Sequence, residues 1–447
     1  MNGQFDFLII GGDEASLAAA AAAVKAGARV ALSRPVERKK RSPAASPTIP
    51  NFVWRRLELQ DYDLTVEPVS ARITLFADAP PMTTLRGVRE TADTLAADGI
   101  NDHLLWRDFA ADMTGLADDG FITEAVAKGK KANGKSLAAM LGDPVALDKA
   151  ARFHGSSRAM LEDYFEEGRL KTHVAAHALS VSGLGDTETG SASALAELLD
   201  PDAWRYRTPK DGPSLRAVLE CVCQDAGVDF APPKVISAVV QNAKVAVVEF
   251  SGEEKIKASH ILFATPDAAL AAGAAKGHGD GARGGLGNAG RAQFRVRFRL
   301  AEGAEPPAGD RKAIFQIIDH AADLQDARDA AIQGRLFDRL PVEFEFAPNG
   351  ELLARSTYLP AAFHEDGEWR GWTGQDRQAV SSIIKERLSS RMPGFASLIR
   401  RMETEVVAPP YGASPFDGCD RVMIQPRRHD AISAAVKLID EVMARGE

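Results

Sequence analysis

The sequence is short of cysteine, of surplus positive charge and of long apolar runs, and each shortage removes a class of function. Three cysteines in 447 residues, Cys221, Cys223 and Cys419, are too few and too unevenly spaced for a disulfide framework or a four-ligand zinc site. A reducing cytosol is the expected surrounding. With 54 basic against 62 acidic residues the formal net charge is -8, so no general attraction to nucleic acid or an anionic membrane is expected. No apolar run reaches the ~18 residues of a membrane span, and the first residues lack a basic-then-apolar leader. Neither a transmembrane segment nor a signal peptide is expected.

What is present is ordinary globular composition, 45% apolar and 26% charged, in a chain long enough for more than one core of ~150 residues. Glycine is slightly abundant at 38, and the places where it falls carry the argument. Phe5 to Ile10 is a nearly continuous apolar run, broken by Gly11-Gly12. An Ala-rich helix is expected from about Glu14 to Ala26, ended by Gly27, with a second apolar run from Arg29 to Leu32. Strand, glycine turn, small-residue helix and return strand are the opening of a doubly wound dinucleotide fold.

Arg34 to Pro47 is basic and rich in Pro and Ser, and reads as an exposed loop. A short strand from Arg72 to Phe76 and helices over Leu147–Phe165 and Ala192–Leu199 suggest a mostly helical insertion. A second α/β block starts at Gly212, with a helix Leu215–Gln224, a hairpin of Val235–Val240 and Val245–Phe250, and a strand Ile256–Phe263. Phe294, Val296, Phe298 and Leu300 alternate with Arg295, Arg297 and Arg299, which predicts a half-buried strand with a basic outer face. Gln375–Arg401 and Ala431–Met443 are expected to be helical.

This order of parts resembles the phytoene desaturase-like branch of the FAD-dependent amine oxidoreductases. Three stretches carry the resemblance: Phe5 to Ala31; Gly212 to Thr265; and Trp369 to Glu441, with Pro393-Gly394-Phe395 at a helix end, a strand from Thr404 to Pro410, and Ser414 to Gly418. The resemblance implies an α/β, Rossmann-like FAD/NAD(P)-binding fold assembled discontinuously from residues 1–70, 208–268 and 408–447. Residues 71–207 and 269–407 would form an inserted α+β substrate-type domain.

The family's cofactor contacts are altered at four places. Its first turn has glycine at the first, third and sixth positions, and here these are Gly11, Asp13 and Ser16. Asp13 puts a carboxylate where phosphate belongs. Two unit charges ~4 Å apart at an effective dielectric near 20 repel by roughly 4 kcal/mol, about a thousandfold in affinity. Asp13 is read instead as the cap of the helix that follows. The second strand should end in a ribose-binding acid, but Arg34 stands there, and it is read as the start of a solvated basic loop rather than as a phosphate ligand. Ser42 to Pro50 contains no glycine where the family has a Gly-Gly pair. The C-terminal glycine loop is replaced by a stretch holding Arg427 and Arg428, while eight of the 38 glycines fall between Gly273 and Gly290. Gly11, Gly12, Asp13, Ser16, Arg34, Arg427 and Arg428 are therefore the expected remnants of the cofactor site.

Other constellations have plain readings. His173 and His177 share a helix face but lack a third metal ligand, so no metal is expected. Cys221 and Cys223 point to different sides of a helix and are read as packing residues. Asp366, Glu368, Trp369 and Trp372 border the family's substrate cavity, and the acids are read as an exposed turn. His429 beside Arg427 and Arg428 is read as a solvated loop, with Asp430 capping the last helix.

The expected function is a pseudo-oxidoreductase: no cofactor, FAD if any, no assigned catalytic residue, and a role as partner or scaffold, for example of an intact flavoenzyme relative. Two alternatives stand beside it, an active FAD-dependent oxidoreductase of desaturase or amine oxidase type with an unusual site, and an isoprenoid- or lipid-binding protein that holds a hydrophobic small molecule.

Overall fold

Phe5, Phe7, Leu8, Ile9 and Ile10 are all buried, so Gln4–Ile10 forms a strand enclosed on both faces, as a parallel strand under helices must be. The computed structural model describes residues 4–34, 51–118, 155–180, 183–199, 205–207, 212–231, 236–241, 246–250, 255–263, 291–407 and 422–424, with residues 49 and 152 and parts of 432–443. The opening strand runs parallel to Val30–Ser33 on one side and Lys255–Phe263 on the other. Asp229–Ala231 extends the sheet beyond Val30–Ser33, and Val422–Ile424 pairs with Ile261 to Phe263, again in parallel. An antiparallel hairpin, Ile236–Gln241 with Ala246–Phe250, joins through Lys255 to Ala258.

The helix Glu14–Lys25 has no polar stripe: every residue from Ala15 to Ala23 is buried. A helix apolar all round must be covered all round, and its alanines allow close approach from each side. Helix Leu215–Ala226 packs so closely on it that Cys223 Sγ lies 3.2 Å from the carbonyl of Leu17. Burial pushes the Cys223 thiol up to about 12, which makes it an inert packing group. Cys221 is exposed, and the packing role expected of it is corrected. Near the end of the chain, Ile432, Ala435, Val436 and Ile439 enter the same core at helical spacing.

The second sheet is ordered Ile399–Val407, Arg291–Leu300, Glu351–Pro360, Val342–Phe346, Ile314–Ile317, Ala71–Leu75, Met82–Leu85. All its pairs are antiparallel except that between Ile314–Ile317 and Ala71–Leu75. One face is apolar, with Phe294, Phe298, Phe315, Phe344 and Phe346 buried in one cluster. The opposite face is charged rather than merely basic. Arg295 meets Glu405 at 3.6 Å, Arg297 meets Glu351 and Glu403 at 3.7 Å, and Arg299 meets Glu351 at 3.1 Å. Arg297 and Glu351 are largely buried, so the basic outer face expected for these arginines is a paired, mixed-charge face.

Two helix expectations also change. The helix Ser157–Tyr164 begins after Ser156, whose side chain accepts from the N–H of Ala159, so the expected helix Leu147–Phe165 is interrupted there; residues 147–151 lie outside the described residues. The helix Gly374–Arg391 stops short of Arg401, because Gly394 turns left-handed at φ 78° and the chain becomes a strand from Ile399. No helix among the described residues is long and apolar enough to cross a membrane.

Candidate functional site

Gly11, Gly12 and Asp13 lie at the carboxyl end of the first strand, where open doubly wound sheets bind their ligands. Gly11 has φ 151°, a conformation that side-chain-bearing residues seldom adopt. Asp13 is extended and caps the helix: its Oδ1 accepts from the backbone N–H of Ser16 at 2.9 Å and from the Ser16 hydroxyl at 2.6 Å. One donor that a bound anion would use is thus taken by a side chain of the protein.

Two arginines close over the same turn. A Cβ on Gly12 would lie 3.6 Å from Arg34 Cγ and 3.7 Å from Arg216 Nη2. Both guanidinium groups reach Glu220 Oε1, Arg34 at 3.1 Å and Arg216 at 3.2 Å. Arg34 also lies over the Phe230 ring, 5.3 Å from its centroid. Arg34 is paired across the fold, where Glu220, on the helix Leu215–Ala226, takes up its charge; residues 35–48, which follow it, lie outside the described residues. Beside Asp13, burial raises the Glu14 carboxyl above its usual range, with the charge of Asp13 adding to the rise and Arg216 and Arg295 opposing it. The turn thus gathers two carboxylates and two arginines that share a third carboxylate.

Arg427, Arg428 and His429 lie outside the described residues, as do the basic run Arg38 to Arg41 and the glycine-rich stretch Gly273 to Gly290. Asp366 and Gly367 form the left-handed turn of a small hairpin, Phe363–Glu365 with Glu368–Arg370. Trp372 Nε1 donates to the carbonyl of Pro360 at 2.9 Å and its ring stacks on Phe294, so it is a packing residue.

Sequence reasoning missed a buried polar cluster on the charged face of the second sheet. Glu343 is 2.8 Å from Arg205 and 2.5 Å from Arg355, and accepts from Gln316 at 3.2 Å. Burial works against the charge on Glu343, yet Arg205 and Arg355 hold its carboxyl far below the usual range. Nearby, Thr74 Oγ1 is 2.7 Å from His173 Nδ1 and Thr84 Oγ1 is 2.9 Å from Nε2, so both ring nitrogens are occupied by hydroxyls. Burial, reinforced by Arg72, lowers His173 to about 3. His177 is lowered by burial and then by His173 and Arg72. Among the described residues no three His, Cys, Asp or Glu side chains are grouped to hold a metal. The alternation in Val-Glu-Phe-Glu-Phe, residues 342 to 346, was the available signal: it sends both glutamates to one face of a central strand.

No protein-family model matches the sequence, and no curated protein matches it. Solved structures do resemble it. A triple mutant of putrescine oxidase, made in a redesign of cofactor binding, superposes with a TM-score of 0.52 at 13% identity, covering 99% of both chains. RAB GDI from Plasmodium falciparum gives a TM-score of 0.52 at 9% identity, over 99% of this chain and 98% of that one. At such identities the likeness defines the fold. The chain has a mixed α/β, Rossmann-like architecture, the class that the resemblance in its sequence implied.

Proposed function

We propose that this chain is a non-catalytic relative of the FAD-dependent oxidoreductases, one that has given up FAD and acts as a partner or scaffold subunit. The observation that supports this most directly is the Asp13 carboxylate bonded to Ser16 at the head of the opening helix. A dinucleotide's pyrophosphate needs that helix end open and positive. Here it faces an internal carboxylate, with Glu14 beside it, and the nearest arginines already share Glu220. The residues present do not fit the phosphates of FAD, and no reaction step is assigned to a flavin. In this reading the discontinuous nucleotide-fold domain and the inserted domain persist as a framework for contacts.

The test is spectroscopic. The purified protein should show no flavin absorption, and added FAD should neither survive gel filtration nor raise the melting temperature. A yellow protein that retains flavin through the column would overturn the reading in favour of an active oxidoreductase. Asp13→Gly with Ser16→Gly is expected to leave FAD binding absent, because Arg34 would still be paired with Glu220. Capture of a flavoenzyme relative by the tagged protein from its own cell would identify the partner class.

A further inference from the structure

Ile399–Val407 forms one edge of the second sheet. Its inner side pairs with Arg291–Leu300, and among the described residues no strand pairs with its outer side. Arg400, Arg401, Met402 and Thr404 are exposed, and Met402 shows 42% of its surface to solvent. An open edge of nine residues is a template for another strand.

We propose that a second copy of this chain pairs antiparallel with this edge, about a two-fold axis through Met402. Opposed residues in an antiparallel pair share a face, so a symmetric register places one residue position on the axis. The charge pattern selects among the possible registers. With Arg401 or Glu403 on the axis, that residue faces its own copy. With Thr404 on the axis, Glu403 faces Glu405. Like charges directly opposite destabilise a ladder. With Met402 on the axis, Arg401 of each copy faces Glu403 of the other, twice over. The two Met402 side chains then cover each other. Arg401 now lies 3.0 Å from Glu403 of its own strand, and Glu403 lies 3.7 Å from Arg297. Arg401 is 62% exposed, so its change of partner costs little. A two-fold pairing uses the edge up and closes as a dimer, not as a filament.

The experiment is cysteine cross-linking joined to sedimentation. In a Cys221→Ser, Cys419→Ser background, Met402→Cys should give a disulfide-linked dimer on mild oxidation, because opposed residues in an antiparallel pair lie within disulfide reach. Thr404→Cys should not. By sedimentation the wild type should be dimeric at micromolar concentration. Arg401→Glu, which sets a new carboxylate of each copy against Glu403 of the other, should weaken the dimer about tenfold or more. A wild type that sediments as a monomer, or equal cross-linking at positions 402 and 404, would overturn the proposal. Because these side chains are surface groups, a melting temperature measured for each variant separates lost pairing from lost folding, and the cysteine variants decide the matter if Arg401→Glu fails to fold.

Discussion

The Asp13 carboxylate accepts both the backbone N–H and the hydroxyl of Ser16, while Ser16 itself is fully buried. The opening helix is thus anchored by its own anion at the end where the dipole is positive. Asp13→Ala should lower stability by ~1 kcal/mol, in the range typical of a lost N-cap. Asp13→Asn should retain most of the bond and cost less. Urea unfolding checks both. An Ala variant as stable as the wild type would mean that the cap contributes nothing.

Glu343 is the carboxylate on which Arg205 and Arg355 converge. Removing one side of a buried ion pair leaves an uncompensated charge, so Glu343→Gln should cost about 3–5 kcal/mol. The loss should appear as a lower urea midpoint with little change in slope. A loss below ~1 kcal/mol would place water, and not a dry interior, around these arginines.

The histidine pair predicts acid sensitivity. Burial, with Arg72, holds His173 at about 3 in the folded chain, against an ordinary value near 6.5 when unfolded. The unfolded chain therefore binds the extra proton first as pH falls. Stability from this group is complete above about 6.5 and declines as pH drops toward 3, by an amount on the order of several kcal/mol. His177, lowered in the same direction, adds to the slope. His177 Nε2 is buried without a hydrogen-bond partner among the described residues, so His177→Leu should be tolerated at pH 7 and should flatten part of the slope. Unfolding curves between pH 7 and pH 4 for the two proteins supply the comparison.

How much of this was legible followed from how local each signal was. The first strand, the alanine helix and the Asp13 cap rest on residues within a turn or two of one another, and they are found where periodicity and capping place them. The pairing of Arg34 with Glu220 and of Arg205 with Glu343 joins residues far apart in the chain, the latter 138 positions, and no spacing rule reaches that far. Only the start of the strand Ile399–Val407 reads as helix, up to Arg401, because an open edge needs no apolar alternation: Arg400, Arg401 and Met402 are exposed in succession. Cys221 and Cys223 looked equivalent in sequence, yet only the second meets the alanine helix.

The arginines at the glycine turn give a prediction that separates a closed anion site from a missing one. Arg34 and Arg216 share Glu220, and the two acid–base contacts are each about one third exposed, at 34% and 31%. Such a pair contributes only ~0.2–1 kcal/mol, so Glu220→Gln should change stability little. It should change ligand behaviour more. Without the shared carboxylate, the two arginines beside Gly12 present more positive charge to an added anion, and they lie next to the amino end of the opening helix. Inorganic pyrophosphate should then raise the melting temperature of Glu220→Gln, and more so when Asp13→Asn is added, while leaving the wild type unmoved. High salt should abolish the effect. If pyrophosphate stabilises the wild type equally, Glu220 and Asp13 do not block the turn, and the argument from internal charge against a bound dinucleotide fails with it.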